Sequence, residues 1–287
     1  MEATVFAQYL VNGLTTGAIY VLVAVGLSLI FGVLDTPNFA HGEFYMVGAY
    51  AAFLCASRGM PVLLVLIMAA LAGALAGALG EYAVFRPHRS AGHINSMVAS
   101  MGLSMVMANG CLLLFTPTPR RLSGLVPEGV VSVLGVTISF NRLIVVGAAI
   151  VFLVLLYLLV YGTWIGLAMR ASSQDSRAAL IMGVNLNVVA VTAFAIGGGL
   201  AAVAGLLVGS LFVLEPTMGG IMGLKAFSVV ILGGMGNMWG AVLGGFLLGL
   251  AEAFAAPLMG TGFKDVLAFG LMIIVLVFQP KGLVSRG

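Results

Sequence analysis

His41 and Glu43, two residues apart, are the ionisable pair best placed to do chemistry in this chain. They stand in Leu34-Asp35-Thr36-Pro37-Asn38-Phe39-Ala40-His41-Gly42-Glu43, a polar interruption between two apolar runs. Thr36 followed by Pro37 is a helix-start signal, because the hydroxyl caps and proline needs no amide partner in a first turn. A helix over 37–55 has 19 residues and a length of about 28 Å at 1.5 Å per residue. It is expected to begin at one bilayer face or just inside it, with His41 and Glu43 in its first turns. An ionisable residue within a membrane segment marks a functional position. The competing reading is an interfacial cap with both side chains in water. His-x-Glu also occurs in zinc deaminases, but the Pro-Cys-x-x-Cys that completes that site is missing. There is no His-Glu-x-x-His, and His41, His88 and His93 cannot form a three-histidine site on one helix face. No metal, cofactor or catalytic group is expected.

Gly233-Gly234-Met235-Gly236-Asn237 is a second interruption, with Asn237 as N-cap of the apolar run that follows. Its surroundings echo those of Asn38: an apolar stretch, a polar break with Asn, then a long glycine-containing helix. Paired broken helices in two halves point to a solute path, where exposed amides meet a carboxylate or polar solute. On that reading Asn38, His41, Glu43 and Asn237 line a translocation path. A tight glycine turn between two packed helices accounts for Gly233–Gly236 equally well.

The longest polar stretch runs from Gly166 to Asn185 and carries Arg170, Asp175 and Arg177 on an amphipathic pattern between two membrane-length segments. A short charged helix held between two spans is suited to docking another protein. No Gly-Lys dipeptide occurs, so the chain has no Walker A loop of its own. Glu81 and Glu252 are read as lying near helix ends within reach of water, which leaves few intramembrane acids for a proton-coupled carrier.

The elements that hold these residues follow from composition. The chain has 287 residues, of which 62% are hydrophobic and 7% charged, against roughly 25% charged in soluble domains. Only lipid can solvate so apolar a chain. The formal net charge of +3 is too small for a nucleic-acid footprint. Cys55 and Cys111 lie in apolar runs and read as buried hydrophobes. With Glu2 as its only early charge, the first apolar segment is expected to stay as a helix rather than be cleaved as a signal peptide. Spans are expected over 9–31, 33–55, 62–82, 96–115, 142–161, 188–208, 238–256 and 265–279, with 224–232 short. The fold class is therefore an all-α polytopic membrane bundle, about eight long transmembrane helices plus one short or broken segment, in a single domain over 1–287. Glycines four apart (Gly13/Gly17, Gly73/Gly77, Gly205/Gly209, Gly240/Gly244, Gly245/Gly249) favour close helix packing over a dimerisation role. Residues 116–141, with Pro117, Pro119, Pro127 and Val130-Val131-Ser132-Val133, suggest a small hairpin on the membrane surface. Orientation is not decided by charge: Arg86, Arg89, Arg170, Arg177, Lys281 and Arg286 on one side balance Arg58, Arg120, Arg121, Arg142, Lys225 and Lys264 on the other.

Several blocks resemble a known family. Asn12-Gly13-Leu14-Thr15-Thr16-Gly17-Ala18-Ile19-Tyr20, Gly26–Gly32, Asn38–Phe44, Arg170-Ala171 with Asp175, Ala178-Ala179 and Met182-Gly183, Gly233–Asn237 and Phe278–Leu283 are similar to the branched-chain amino acid ABC importer permeases of the LivH type. The likeness covers essentially the whole chain, with the blocks in the family's order. One departure is the ending Gln279-Pro280-Lys281, where the family often has Arg-Pro-Gln. The resemblance implies a non-enzymatic subunit of the bacterial inner membrane. Its implied partners are a second homologous permease, two cytoplasmic ATP-binding subunits and an extracytoplasmic solute-binding protein. It also implies a cytoplasmic coupling loop over 162–187 and an extracytoplasmic loop over 116–141. Arg170, Ala171, Asp175, Ala178, Ala179 and Gly183 are then the residues seated in an ATPase groove. Relatives of similar sequence carry urea, amides or short acids. An intramembrane enzyme using His41 and Glu43, or a self-contained channel or carrier, are the readings from other classes.

Overall fold

The computed structural model describes residues 2–89, 92–122, 125, 129–133, 135–260 and 262–284; Pro127 and Arg286 lie outside them. The helices are α1 (Glu2–Leu34), α2 (His41–Ala56), α3 (Val62–Gly80), α4 (Arg86–His88), α5 (His93–Phe115), α6 (Phe140–Gly162), α7 (Trp164–Gln174), α8 (Ser176–Ile181), α9 (Leu186–Leu211), α10 (Met218–Gly233), α11 (Met238–Met259) and α12 (Phe263–Phe278). A π-helical turn, Glu81–Phe85, joins α3 to α4. Strands β1 (Val130–Val133) and β2 (Val136–Ser139) form the expected hairpin, antiparallel with Val133 opposite Val136. Gly135, at φ +82°, supplies the left-handed turn residue that so short a connection demands.

Among the described residues six helices are long and apolar enough to cross a bilayer: Thr4–Leu34, Val62–His88, His93–Phe115, Phe140–Gly162, Leu186–Leu211 and Met238–Pro257. The protein is a multi-pass, all-α membrane bundle. α2, α10 and α12 have 16 residues each, about 24 Å, against a hydrocarbon core of about 30 Å. The tally thus differs from about eight long helices and one short. The apolar windows that suggested longer spans include non-helical backbone at 35–40, where the helix was expected to start at Pro37, and the half-helix that contains 224–232 begins earlier, at Met218.

The two ends of the bundle are distinguished by what they carry. Gln8 near the start of α1 bonds Thr137 of the hairpin in both directions, through its amide nitrogen at 3.1 Å and oxygen at 3.2 Å. The other end of α1 lies against α7 and α8. Arg89 bonds Asn187 at 3.1 Å, so the α4 turn shares that second end with the start of α9. Glu81, expected near water, is fully buried and paired with Arg86 and Arg89.

The chain contains an inverted repeat. α1, a break at 35–40, short α2 and α3 are matched by α9, a break at 212–217, short α10 and α11, running the opposite way. The packing partners exchange accordingly: α1 lies on α11 as α9 lies on α3, and α2 lies on α9 as α10 lies on α1. The structural counterpart of the Asp35–Ala40 break is therefore 212–217 rather than Gly233–Asn237. The seams are the glycine rows. A Cβ at Gly17 or Gly249 would press on the facing helix of the α1–α11 pair, and one at Gly73 or Gly77 on α9. Small residues here serve packing within one chain, as in other membrane helices.

Gly205→Ala would drive a methyl group into the carbonyl oxygen of Tyr45. Overpacking of this kind costs about 1–3 kcal/mol, so the variant should melt measurably earlier in detergent. At Gly147 a Cβ meets nothing within 4 Å, and Gly147→Ala should melt with the parent. Equal melting of all three proteins would show that the seams are loose.

Candidate functional site

The Asp35–Ala40 break turns back into the bundle. Asp35 ends α1 at φ +52°, a conformation Asp tolerates better than most residues. Thr36 does not cap α2; its hydroxyl donates to the Leu34 carbonyl at 3.1 Å. Asn38 is fully buried and accepts from the Ala40 amide at 3.0 Å. α2 then starts at His41, whose Nε2 meets the Val23 carbonyl of α1 at 3.0 Å. Val23 lies 11 residues before the end of α1, about 16 Å along its axis. α2 is therefore a half-helix that begins deep inside the bundle and not at a membrane face.

α10 begins at the same depth from the other side. A Cβ on Gly42 would strike the carbonyl of Gly219 and the backbone of Gly223. Phe39 stacks on Phe227 with ring centroids 4.8 Å apart. Glu43 is 2% exposed; one carboxylate oxygen accepts from Ser104 at 3.0 Å and the other lies beside Gly219. Asn38, His41 and Glu43 each keep one buried polar atom without a partner: Nδ2, Nδ1 and Oε2. Leaving such an atom unpaired costs about 1–3 kcal/mol, so three within six residues make an expensive seam.

Asn237 is not part of this group. α10 separates it from Glu43 by about 24 Å. Its Oδ1 caps α11 through Trp239 and Gly240 at 3.0 and 3.2 Å, and its Nδ2 donates to the Val284 carbonyl at 2.9 Å. It also lines a cavity of about 160 Å³ with Ser28, Gly32, Arg170 and Trp239.

The polar stretch folds as two helices and not as one over 170–183. Thr163 caps α7 by accepting from the Gly166 amide at 3.1 Å. Asp175 breaks the helix and caps α8, accepting from Arg177 and Ala178 at 2.8 and 3.0 Å. Gly183, at φ +87°, closes α8, and Asn185 caps α9. Ala179 is buried, Ala171 and Arg170 are half-buried, and Asp175, Ala178 and Gly183 are exposed. Arg170 lies over the Tyr161 ring at 5.0 Å. Apolar residues are strongly exposed here, with Ile181 at 85% and Met182 at 84%. A reading weighted to charged and small side chains passed over them, although Leu180-Ile181-Met182 is an apolar run at the end of an otherwise polar loop.

Sequence reasoning also missed a buried ionic cluster. Lys225 lies within α10 and not in a loop, and donates to Glu252 and Asp265 at 2.9 Å each and to the Tyr20 hydroxyl at 3.2 Å. Tyr20 in turn donates to Glu252 at 2.7 Å. Glu252 is 3% exposed, not at a wet helix end. A charge inside each of two apolar helices was the available signal. The cluster floors a cavity of about 460 Å³ near the hairpin end. The described residues hold no group of three or more His, Cys, Asp or Glu that could bind a metal ion.

A family described as branched-chain amino acid transport system / permease component matches residues 9–276. This chain belongs to that family. It is 37% identical to the high-affinity branched-chain amino acid transport system permease protein BraD of Pseudomonas aeruginosa, over 98% of this chain and 96% of BraD. It is 34% identical to the corresponding permease protein LivH of Escherichia coli, with the same two shares. Among solved structures, PsaBC from Streptococcus pneumoniae in complex with Fab has the same fold at a TM-score of 0.55, covering 98% of this chain and 97% of that one at 14% identity.

Removing one member of a buried ion pair costs about 3–5 kcal/mol. Lys225→Met should therefore destabilise the permease strongly, and Lys225→Met with Glu252→Gln should recover most of the loss in a detergent melting series. If the double variant is no more stable than the single one, the pair is not the dominant interaction at that position.

Proposed function

We propose that this permease is a transmembrane subunit of an ABC importer in the bacterial inner membrane that carries branched-chain or other hydrophobic amino acids. It works with two cytoplasmic ATP-binding subunits, a second homologous permease and an extracytoplasmic solute-binding protein. The observation that carries this is the apolar tip Leu180-Ile181-Met182, held outside the bundle at the end of a doubly capped loop. Contiguous exposed apolar residues on a polar, capped loop are suited to a partner's groove. The relatives are named as permease proteins of branched-chain amino acid transport systems, and ATP-driven partners supply the missing groove.

On this reading α7 and α8 are cytoplasmic and the hairpin extracytoplasmic, with nine apolar helices crossing or entering the bilayer. The Asp175 carboxylate is spent mainly on the cap, so it shapes the docking tip instead of making a rim contact of its own. Arg170, Ala171, Ala178, Ala179 and Gly183 flank the tip. α7 packs on α1, α6 and α9, so a push on α8 reaches α1, which supports the α2 break. The seam of Asn38, His41 and Glu43 adjoins the path, and its unpaired polar atoms are satisfied when the half-helices separate and water or solute enters. Asn237 lines the smaller cavity beside Arg170 and faces the path from the coupling end.

Reconstitution with the partner subunits and ATP tests the reading: leucine uptake should depend on ATP and on the binding protein, with urea and acetamide transported poorly. Preference for urea would overturn the substrate assignment.

Ile181→Asp and Met182→Asp should abolish co-purification of the ATPases and uptake while the permease still inserts. Asp175→Asn keeps an effective cap and should retain uptake, whereas Asp175→Lys should lose it. Loss in Asp175→Asn equal to that in Asp175→Lys would return the role to the charge.

His41→Ala and Glu43→Gln should lower the maximal uptake rate more than the apparent affinity, since affinity is set on the binding protein. Normal transport by both would make the seam a structural turn.

A further inference from the structure

The cavity near the hairpin end has no role in the coupling scheme, yet its lining is selective. One face of α1 supplies Tyr9, Asn12, Thr16, Ile19 and Tyr20, a stripe at helical spacing. Leu211, Met222 and Ala253 add apolar wall. Its volume of about 460 Å³ lies within the range of roughly 300–1,000 Å³ typical of small-molecule sites.

The charges sort into two sets. At the floor, Lys225 is paired with Glu252 and Asp265, a cluster with one carboxylate in excess, and both Glu252 oxygens are already taken by Lys225 and Tyr20. Nearer the mouth stand Arg142, at the start of α6, and Lys264, at the start of α12. No carboxylate pairs with either among the described residues, and Arg142 has a buried Nη1 without a partner. Both oxygens of the lining carboxylate, Glu252, are engaged, while Arg142 and Lys264 have no carboxylate partner among the described residues. A ligand suited to it therefore presents a carboxylate to Arg142 and Lys264 and lays a small apolar body along Ile19 and Met222.

We infer that this cavity is a transient subsite for the carboxylate and apolar side chain of a hydrophobic amino acid or related short carboxylate, occupied between delivery at the hairpin end and passage through the seam. The inference rests on the import reading above. It places solute recognition on the permease itself. The cations are partly solvated, and no lining carboxylate is free for the solute's ammonium group, so occupancy is brief.

The test uses the full importer complex in proteoliposomes with Cys55→Ala, Cys111→Ala and Thr16→Cys. Anionic and cationic methanethiosulfonates of similar size are compared for rate of modification, and leucine uptake is measured in the same vesicles. Focusing by like charges raises local counter-ion concentration by about 10-fold or more, so the anionic reagent should react about that much faster. Arg142→Gln with Lys264→Gln should erase the difference. Leucine and 4-methylpentanoate, applied without binding protein, should slow the modification; isoamylamine, which lacks the carboxylate, should not. Asn12→Cys is the second reporter if Thr16→Cys inserts poorly. If leucine is imported but neither carboxylate slows modification, or the two reagents react equally fast, the subsite is wrong and the import reading stands. If no leucine is imported, the import reading fails and the subsite with it.

Discussion

The crossing of α2 and α10 is the contact on which the architecture depends. In lipid an unpaired backbone group costs several kcal/mol, so non-helical chain survives at membrane depth only when protein surrounds it. The two breaks, 35–40 and 212–217, solve this together, because the half-helices they introduce lie side by side through Gly42, Gly219 and Gly223. A Cβ at Gly42 or Gly219 would push the helix starts apart. The same logic repeats where Gly26 of α1 meets Gly197 of α9, each leaving the other no room for a Cβ. Opposite-running repeats put matching residues against each other at α2 and α10, where Gly42 and Gly219 are each the second residue of their half-helix.

The Lys225–Glu252 pair has a different physical character. It ties α10 to α11, with Tyr20 adding α1 and Asp265 adding α12. Buried pairs seldom add net stability over apolar replacements, and packing alone would hold four helices together. The pair instead gives these helices a directional register that small-residue seams lack. It also keeps the floor of the adjoining cavity polar, with the Lys225 ammonium already engaged and unavailable to hold a solute tightly.

Much of this was legible in the chain, for identifiable reasons. Long apolar runs fixed the helical class, and the β-branched run at Val130–Val133 gave the hairpin. Glycine spacing identified the seams, since backbone approach in lipid has few other solutions. The break near Asn38 was visible because Pro37 and two ionisable residues interrupt an apolar run. Its mate was overlooked. Glu215-Pro216-Thr217 is the same kind of helix start, but Gly233–Asn237 offered a louder punctuation and took its place. Depth was not legible either: Thr36-Pro37 marks a helix start equally well at a membrane face and halfway across, and only the His41–Val23 contact distinguishes them. The loop over 162–187 was found by polarity, and polarity hid the exposed apolar tip Leu180-Ile181-Met182 within it.

α1 lines both cavities, on opposite faces of the helix. Its stripe from Tyr9 to Tyr20 lines the cavity at the hairpin end, and Ser28, Leu29, Gly32 and Val33 line the smaller cavity at the α7–α8 end. Ser28 comes eight residues after Tyr20, about 12 Å along the helix. Val21, Leu22, Val23, Ala24 and Val25 in that interval are fully buried, so the two cavities are separate and the chain is closed. The plug is thin, apolar and touched at Val23 by His41, the first residue of a half-helix whose preceding break is not braced by secondary structure. Moving α2 by one such contact would alter the thinnest part of the barrier while leaving the glycine seams of α1 with α11 and α3 with α9 intact. That is the arrangement alternating access requires: two rigid pairs, a short barrier between them, and a broken helix at the barrier.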